Sequence, residues 1–386
     1  MMNGNTMTLS DAHFREYAAP LYPGAATVRY LDTAAVGLIS TWVEDAMADV
    51  LRRHRDTGID ATVPLREEAE SVRERVARLI HGDARRVTFT QNTSTGLALV
   101  ANGVDWRPGD NLVVPEREFP SNFYPWLQLR QQGVEVRAVP MGAHGHAETA
   151  DIAERVDVRT RLVALSAVQY SSGHRYDLAE IGAVCRNHGA LLVVDGTQAA
   201  GAMALNVNES GIDVLSVSAH KWMLGPFGIG FVHFSDRAFE QLTPSTAGWL
   251  STEKPFDFDH EPTFASDGRK FESGTENSVG IAGLGATIDH MLDLGPERIE
   301  QYILDLVGQL VTTLEERGFT MVSPRDARHQ SGIVIARSPV EPGEVLHERL
   351  LKEGIRCSLR GGGVRLSPHY FITGDDISHA ISVMAR

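Results

Sequence analysis

Two segments of the chain set a carboxylate and an amine where a ligand would lie. In LLVVDGTQAAG an apolar run delivers Asp195 to its carboxyl end, and Gln198 follows about one turn later. In DVLSVSAHKW a second apolar run ends at Ser218, His220 and Lys221. A lysine at a strand end beside small polar residues loses its proton when partly desolvated, and can then form an imine with an aldehyde. A carboxylate at another strand end can hold a pyridinium nitrogen protonated, which makes such a ring an electron sink for a carbanion at a substrate α-carbon. Taken singly, Asp195 reads better as a helix cap and Lys221 as a surface charge. Together at strand ends, with Gln198 and the SAHKW context, they point to pyridoxal 5'-phosphate, with Lys221 and Asp195 as the catalytic pair.

A third segment, VTFTQNTSTGLALVANGV, reads as a strand, then small hydroxyl residues, then a helix beginning near Gly96. Backbone N–H groups at a helix N-terminus, joined by the hydroxyls of Thr93 and Ser94, form an anion site. Alone this is an ordinary helix cap; beside Lys221 it supplies a phosphate cradle.

The elements that position these residues are legible from hydrophobic period. Apolar runs at Val87 to Thr90, Asn111 to Val114, Val134 to Val139, Leu162 to Ser166, Leu191 to Asp195, Val214 to Val217 and Ile229 to Phe234 are separated by helix-length segments. Such runs predict a mostly parallel sheet covered on both faces, which binds ligands at the carboxyl ends of its strands. From Pro64, Leu65, Ala69, Val72, Val76, Leu79 and Ile80 share one helical face, with Gly82 just past the end. After about residue 265 a glycine-rich passage, FESGTENSVGIAGLGATIDHML, leads into the helical pattern of IEQYILDLVGQLVTTLEERG. Short strands are then expected at Gly332 to Ala336 and Gly363 to Ser367. We read residues 31–265 as a large cofactor-binding domain and 266–386 as a smaller C-terminal α+β domain, with 1–30 packing against the latter.

Composition limits the alternatives. The 386 residues are 42% apolar and 22% charged, an ordinary globular balance. A formal charge of −14 opposes binding to nucleic acid or an anionic membrane, so a small-molecule partner is expected. Cys185 and Cys357 are the only cysteines and lie far apart, giving no disulfide framework and no zinc-ligand spacing. The first residues carry no apolar core of signal-peptide length, and no run of about 18 apolar residues occurs, so a soluble cytoplasmic protein is expected. His144 and His146 in GAHGHAE read as solvated loop residues, and no metal is assigned. The tract RGGGVR opens no helix, and is expected to be a tight turn that brings Arg365 toward the cleft. A nicotinamide-dependent dehydrogenase would need G-x-G-x-x-G after the first strand, which is absent. A non-catalytic scaffold would not need Lys221 and Asp195, and both are present.

These segments resemble the class V aminotransferase and cysteine desulfurase family of fold-type I pyridoxal-phosphate enzymes, from about Leu31 to Ile377. YLDTAAVG resembles that family's N-terminal signature, EFPSNFYPW its cofactor-face segment, and KFESGTEN the loop that reaches the neighbouring subunit. The resemblance implies an α/β fold, with a mostly parallel seven-stranded sheet in a large domain plus a smaller α+β domain. It implies that Asp195 pairs with the pyridine nitrogen, that Gln198 and Gln169 contact the ring hydroxyl, and that Thr93, Ser94, Ser218 and His220 hold the phosphate. Lys221 would carry the Schiff base. Thr275 would bind the partner subunit's phosphate, which implies a homodimer with shared sites. Arg365 would fork onto the carboxylate of an amino acid substrate, as a planar guanidinium can.

Two departures bear on the reaction. Where many desulfurases have a histidine over the ring, this chain reads Glu118, Phe119, Pro120, Ser121, so stacking falls to Phe119 or the proline, with core packing as the other role open to Phe119. The mobile loop with a sulfur-accepting cysteine is missing, because GIRCSLRGGGVRLSPHYF runs directly from one strand to the next. Cys357 there alternates as in a half-buried strand, and Cys185 sits in a helical pattern, so both are expected to pack rather than react. The expected reaction is a C–S lyase type β-elimination on an amino acid without a persulfide cysteine. The alternatives are epimerisation or racemisation, because EFPSN and RLSPHYF resemble the isopenicillin N epimerase-like branch, and transamination.

Overall fold

A computed structural model describes residues 20–142 and 145–386. In chain order the strands are β1 (Arg29–Tyr30), β2 (Val87–Thr90), β3 (Asn111–Pro115), β4 (Glu135–Val139), β5 (Thr160–Ser166), β6 (Leu191–Asp195), β7 (Val214–Ser218), β8 (Gly230–Phe234), β9 (Thr320–Met321), β10 (Val334–Arg337), β11 (Ile355–Arg356), β12 (Ser358–Arg360) and β13 (Gly363–Leu366). The longer helices are α1 (Thr41–Thr57), α2 (Thr62–Ile80), α3 (Thr93–Gly103), α4 (Leu178–His188), α5 (Ser278–Leu294), α6 (Pro296–Glu316), α7 (Gly343–Lys352) and α8 (Gly374–Met384).

Seven strands form the main sheet in the order β2-β8-β7-β6-β5-β3-β4. β8 runs antiparallel to both neighbours, and the remaining pairings are parallel. Successive residues of a strand point to opposite faces, and here both faces are buried. Leu192 and Val194 of β6 enter one core while Leu191 and Val193 enter the other, and Val163 and Leu162 of β5 divide in the same way. This is why the strands read as unbroken apolar runs rather than as alternations.

The face expected for α2 is the buried one, with Ala69, Val72, Val76, Leu79 and Ile80 inside and Leu65 half-buried. The glycine-rich passage departs from expectation. It does not merely lead into a helix, since all of it from Ser278 onward is itself the helix α5. Its glycines are there for close approach. A Cβ on Gly283 would fall 3.0 Å from Met47 of α1, and one on Gly285 would fall 2.7 Å from Val72 of α2. Packing of α5 on α1 and α2 offsets the roughly 0.5–1 kcal/mol that a helical glycine costs.

The expected strands near residues 334 and 364 are β10 and β13, neighbours in a four-stranded antiparallel sheet of order β12-β13-β10-β9. The RGGG tract is the tight turn between β12 and β13. Gly361 and Gly362 have φ of 58° and 74°, values that a mirror-image hairpin turn requires. β1 pairs in parallel with β11, and the Leu31 N–H donates to the Arg356 carbonyl at 2.9 Å, so the chain around residue 30 lies beside this second sheet. Residues 1–19 of the segment expected to pack there lie outside the described residues. Among the described residues, no helix is long and apolar enough to cross a membrane.

Candidate active site

The carboxyl ends of β5, β6 and β7 bring Ser166, Asp195 and Ser218 to one edge of the main sheet, and a cavity of about 330 Å³ opens over them. Lys221 enters its wall from the turn after β7, Phe119 from the loop after β3, and Arg360 and Arg365 from the β12–β13 hairpin.

Asp195 is buried. Burial raises its pKa above the usual carboxylate value, while hydrogen bonds from Thr197 and the charge of Lys221 act against that rise. The Thr197 N–H donates to its Oδ1 at 2.9 Å. Lys221 is pulled down to about 8, chiefly by burial, with Asp195 opposing and Arg365 and Arg360 assisting. Its Nζ lies 5.2 Å from the centre of the Phe119 ring. The Lys221 backbone is gripped from the N-terminal side. Gly37 N–H donates to the His220 carbonyl at 2.8 Å, and a Cβ on Gly37 would lie 2.2 Å from the Lys221 carbonyl oxygen.

Phe119 is not a core residue. Its ring is 38% exposed in the cavity wall, with the Tyr170 ring T-shaped to it at 5.3 Å, so a core-packing role does not describe it.

Helix α3 begins at Thr93, three residues earlier than expected, because Asn92 caps it by accepting the Thr95 N–H at 2.9 Å. Thr93 N–H donates to Ser218 Oγ at 2.7 Å, and Thr93 Oγ1 lies 2.8 Å from Ser218 Oγ and 2.5 Å from Thr197 Oγ1. Ser94 Oγ donates to Ser121 Oγ at 2.7 Å. The result is a hydroxyl cluster at the positive end of a helix. His220 also lines the cavity, stacked on Phe227, and burial together with Lys221 lowers its pKa.

Three expected residues stand differently from the rest. Gln198 lines the cavity, but its amide is already engaged, donating to the Ala34 carbonyl at 3.0 Å and accepting from Trp222 Nε1 at 2.8 Å. Gln169 is fully buried one residue before the cavity-lining Tyr170, and its Nε2 has no acceptor. Thr275 is exposed and is not in the cavity of its own chain; it borders a separate cleft with His54, Arg66 and Asn277.

Arg365 is 2% exposed and lines the cavity as expected. Sequence reasoning missed what holds it. Asp32 accepts from its Nη2 at 3.2 Å and from Ser358 Oγ at 2.6 Å, and Arg365 Nε has no acceptor. Arg360, also missed, adds a second and exposed guanidinium; it stands at the foot of the same two-glycine turn. Glu118, named in the sequence only as the residue before Phe119 and given no role, proves to be a buried carboxyl hydrogen-bonded to Ser166.

Both cysteines are buried and lie outside the cavity, with burial pushing each thiol up to about 12. His144 lies outside the described residues. His146 is not a solvated loop residue: its ring stacks on His174 at 3.6 Å, and His174 stacks in turn on His329 at 4.6 Å. Stacked rings cannot converge on one ion, and no metal-ligating cluster occurs among the described residues.

These groups fit pyridoxal 5'-phosphate. A buried carboxyl suits a pyridinium, a partly deprotonated amine suits an aldehyde, and hydroxyls at a helix N-terminus suit a phosphate. Gln169 Nε2, a buried donor without an acceptor, lies one residue from the cavity-lining Tyr170 but is not itself in the cavity wall.

Comparison with known proteins agrees with the architecture. The aminotransferase class-V family model matches residues 29–368, and the chain belongs to that family. A probable cysteine desulfurase of Methanothermobacter thermautotrophicus is 32% identical, over 90% of this chain and 92% of the relative. The apo cysteine desulfurase of Thermococcus onnurineus NA1 superposes with a TM-score of 0.87 at 27% identity, covering 96% of this chain and 97% of that one. The cystine C–S lyase C-DES, in complex with its product cysteine persulfide, superposes with a TM-score of 0.86 at 25% identity, covering 94% and 99%. A variant of C-DES, with glycine covalently linked to its PLP cofactor, gives a TM-score of 0.88 at 25% identity over 95% and 98%. The fold expected from the resemblance is thus the observed one, and the expected cofactor is the one carried by a structural neighbour.

Proposed function

We propose that the protein is a pyridoxal 5'-phosphate-dependent lyase that cleaves a C–S bond of an amino acid by β-elimination without a persulfide cysteine. The observation that carries this reading is the content of one cavity: Lys221, Asp195 and Arg365 share it, while Cys185 and Cys357 are buried elsewhere. A sulfur-relay desulfurase needs an exposed thiolate, and thiols held near 12 are protonated at neutral pH. The likeness to C-DES supports the same choice.

When bound, the cofactor supplies an electron sink for charge developing at the substrate α-carbon. Asp195 holds its ring nitrogen protonated, and the cluster of Thr93, Ser94, Ser218 and His220 holds its phosphate. Arg365 binds the substrate carboxylate, with Arg360 adding a second positive charge. Lys221 Nζ, with a pKa near operating pH, removes the α-proton. As the C–S bond breaks, the electron pair leaves with sulfur, and Lys221 returns the proton to it. Thr275, exposed and outside the cavity of its own chain, serves the partner subunit's phosphate in a homodimer.

The test is product analysis of the cofactor-loaded protein with L-cystine and other S-substituted L-cysteines. Pyruvate and ammonia in equal amounts, with a sulfur-containing leaving product, are expected. Inverted substrate without pyruvate would make the protein an epimerase, and amino transfer to an added keto acid would make it an aminotransferase; either result overturns the lyase reading.

A further inference from the structure

Glu118 directly precedes Phe119 in the cavity wall, yet it is itself only 5% exposed. Its partners are all neutral: Ser166 N–H donates to Oε1 at 2.7 Å, and Ser166 Oγ and the Phe119 N–H lie 2.5 and 3.2 Å from Oε2. Ser166 lines the cavity and is the ladder partner of Asp195 across the β5–β6 pair. One serine at a strand end therefore stands beside two buried carboxyl groups. The ionisable groups facing Glu118 are Asp195, from β6, and Tyr176, whose hydroxyl accepts the Ala147 N–H at 3.1 Å. Neither offers a positive charge; Lys221, which acts on Asp195, is not among the groups acting on Glu118, so an ionised Glu118 would be a buried charge without a partner, which is strongly disfavoured.

We propose that Glu118 and Asp195 form a two-carboxyl unit that carries one negative charge, in which Glu118 keeps the proton and the Ser166 hydroxyl turns according to that proton. With Glu118 protonated, its Oε2–H donates to Ser166 Oγ, which leaves the serine O–H free for the cavity. With Glu118 ionised, Ser166 donates back to Oε2 and withdraws that hydrogen, and the released proton passes to water. Burial lifts Glu118 to about 7, so the turn falls in the neutral range. Glu118 acts through Ser166 and is a positioning residue for the nitrogen end of the cofactor. The inference rests on the assignment of Lys221 and Asp195 made above.

The experiment is a pH titration of the absorption spectrum of the cofactor-loaded protein, over about two units on either side of neutrality. The wild type should show a spectral midpoint at about 7. Glu118→Gln keeps an oxygen for the Ser166 N–H and offers an N–H to Ser166 Oγ, so it should remain in the protonated arrangement and lose that midpoint; Ser166→Ala should lose it too. Infrared spectra of wild-type protein labelled with carbon-13 glutamate supply a readout that needs neither variant nor cofactor. A buried protonated glutamate band should be present below about 7 and vanish above it. An unchanged midpoint in Glu118→Gln, or no such band, overturns the inference. Failure of the cofactor to attach to Lys221 would overturn the assignment beneath it, and the infrared band would still decide whether Glu118 keeps the proton.

Discussion

Arg365 Nη2 donates to Asp32 Oδ1 across 3.2 Å, joining residues 333 positions apart, so the cation expected to bind substrate is already held by an anion of the same chain. The pair is close to fully desolvated on the arginine side and only partly so on the aspartate side, with side chains 2% and 16% exposed. Asp32 thus fixes one edge of the guanidinium and leaves its Nε for another acceptor.

Replacing Asp32 by Asn strands a buried guanidinium without its counter-charge. The loss should be about 3 kcal/mol, the lower part of the range for breaking a buried pair, because Asp32 keeps some contact with water. Thermal unfolding should show the destabilisation. Steady-state kinetics should show KM rising about tenfold or more, with a smaller change in kcat, since the lost order lies at the carboxylate end of the substrate.

Lys221 sets the pH dependence of cofactor uptake. Only the neutral amine attacks an aldehyde, and the pKa is lowered to about 8, so the neutral fraction falls about tenfold for each unit below that value. Stopped-flow mixing of apoprotein with pyridoxal phosphate should give a rate that climbs with pH and levels off above about 8. A plateau reached only near the ordinary lysine value of about 10.4 would show that the amine is not desolvated.

The main sheet was legible because a strand buried on both faces is apolar at most of its positions, as in Leu191–Val194. Asp195 and Lys221 were legible because the first closes such a run and the second comes three residues after the end of another. Asp32 was not, since its partners Ser358 and Arg365 come from the other end of the chain and local pattern carries no trace of that pairing. Glu118 was hidden for the same reason: its burial is made by Ser166, 48 residues on. Helix α5 was half-concealed because Gly280, Gly283 and Gly285 lower helix propensity, and their use, close approach to neighbouring side chains, exists only in the packed structure.

Gly37 should be intolerant of a side chain. Alanine there would put Cβ 2.2 Å from the Lys221 carbonyl oxygen and 2.8 Å from the Leu224 side chain, and the carbonyl cannot move aside without shifting Lys221. The expected cost is about 1–3 kcal/mol of stability. Cofactor affinity, measured by equilibrium titration of the apoprotein, should weaken more than an average surface variant of equal stability would predict.

Cys357 should be dispensable for turnover. It is 5% exposed, and burial keeps its thiol up at about 12, so native protein should resist iodoacetamide while unfolded protein reacts. Cys357→Ala should retain turnover on the enzyme's own substrate, losing only the roughly 1 kcal/mol expected for a small core truncation. Loss of activity, together with a persulfide trapped on Cys357 in the parent protein, would contradict the proposed reaction.

The central claim is that Lys221 is the residue that holds the cofactor, and a second lysine makes the measurement a discriminating one. Burial also lowers Lys270 to about 8, but its Nζ donates to the Phe239 and Leu242 carbonyls and sits over the Phe239 ring at 3.7 Å, outside the cavity. A lowered pKa alone would make the two equally reactive; the cavity, Asp195 and the hydroxyl cluster favour Lys221. Borohydride reduction of the cofactor-loaded protein, followed by peptide mapping, should place the label on Lys221, with none on Lys270 and none at all in a Lys221→Ala variant. Label on Lys270, or an undiminished label in Lys221→Ala, would contradict the account.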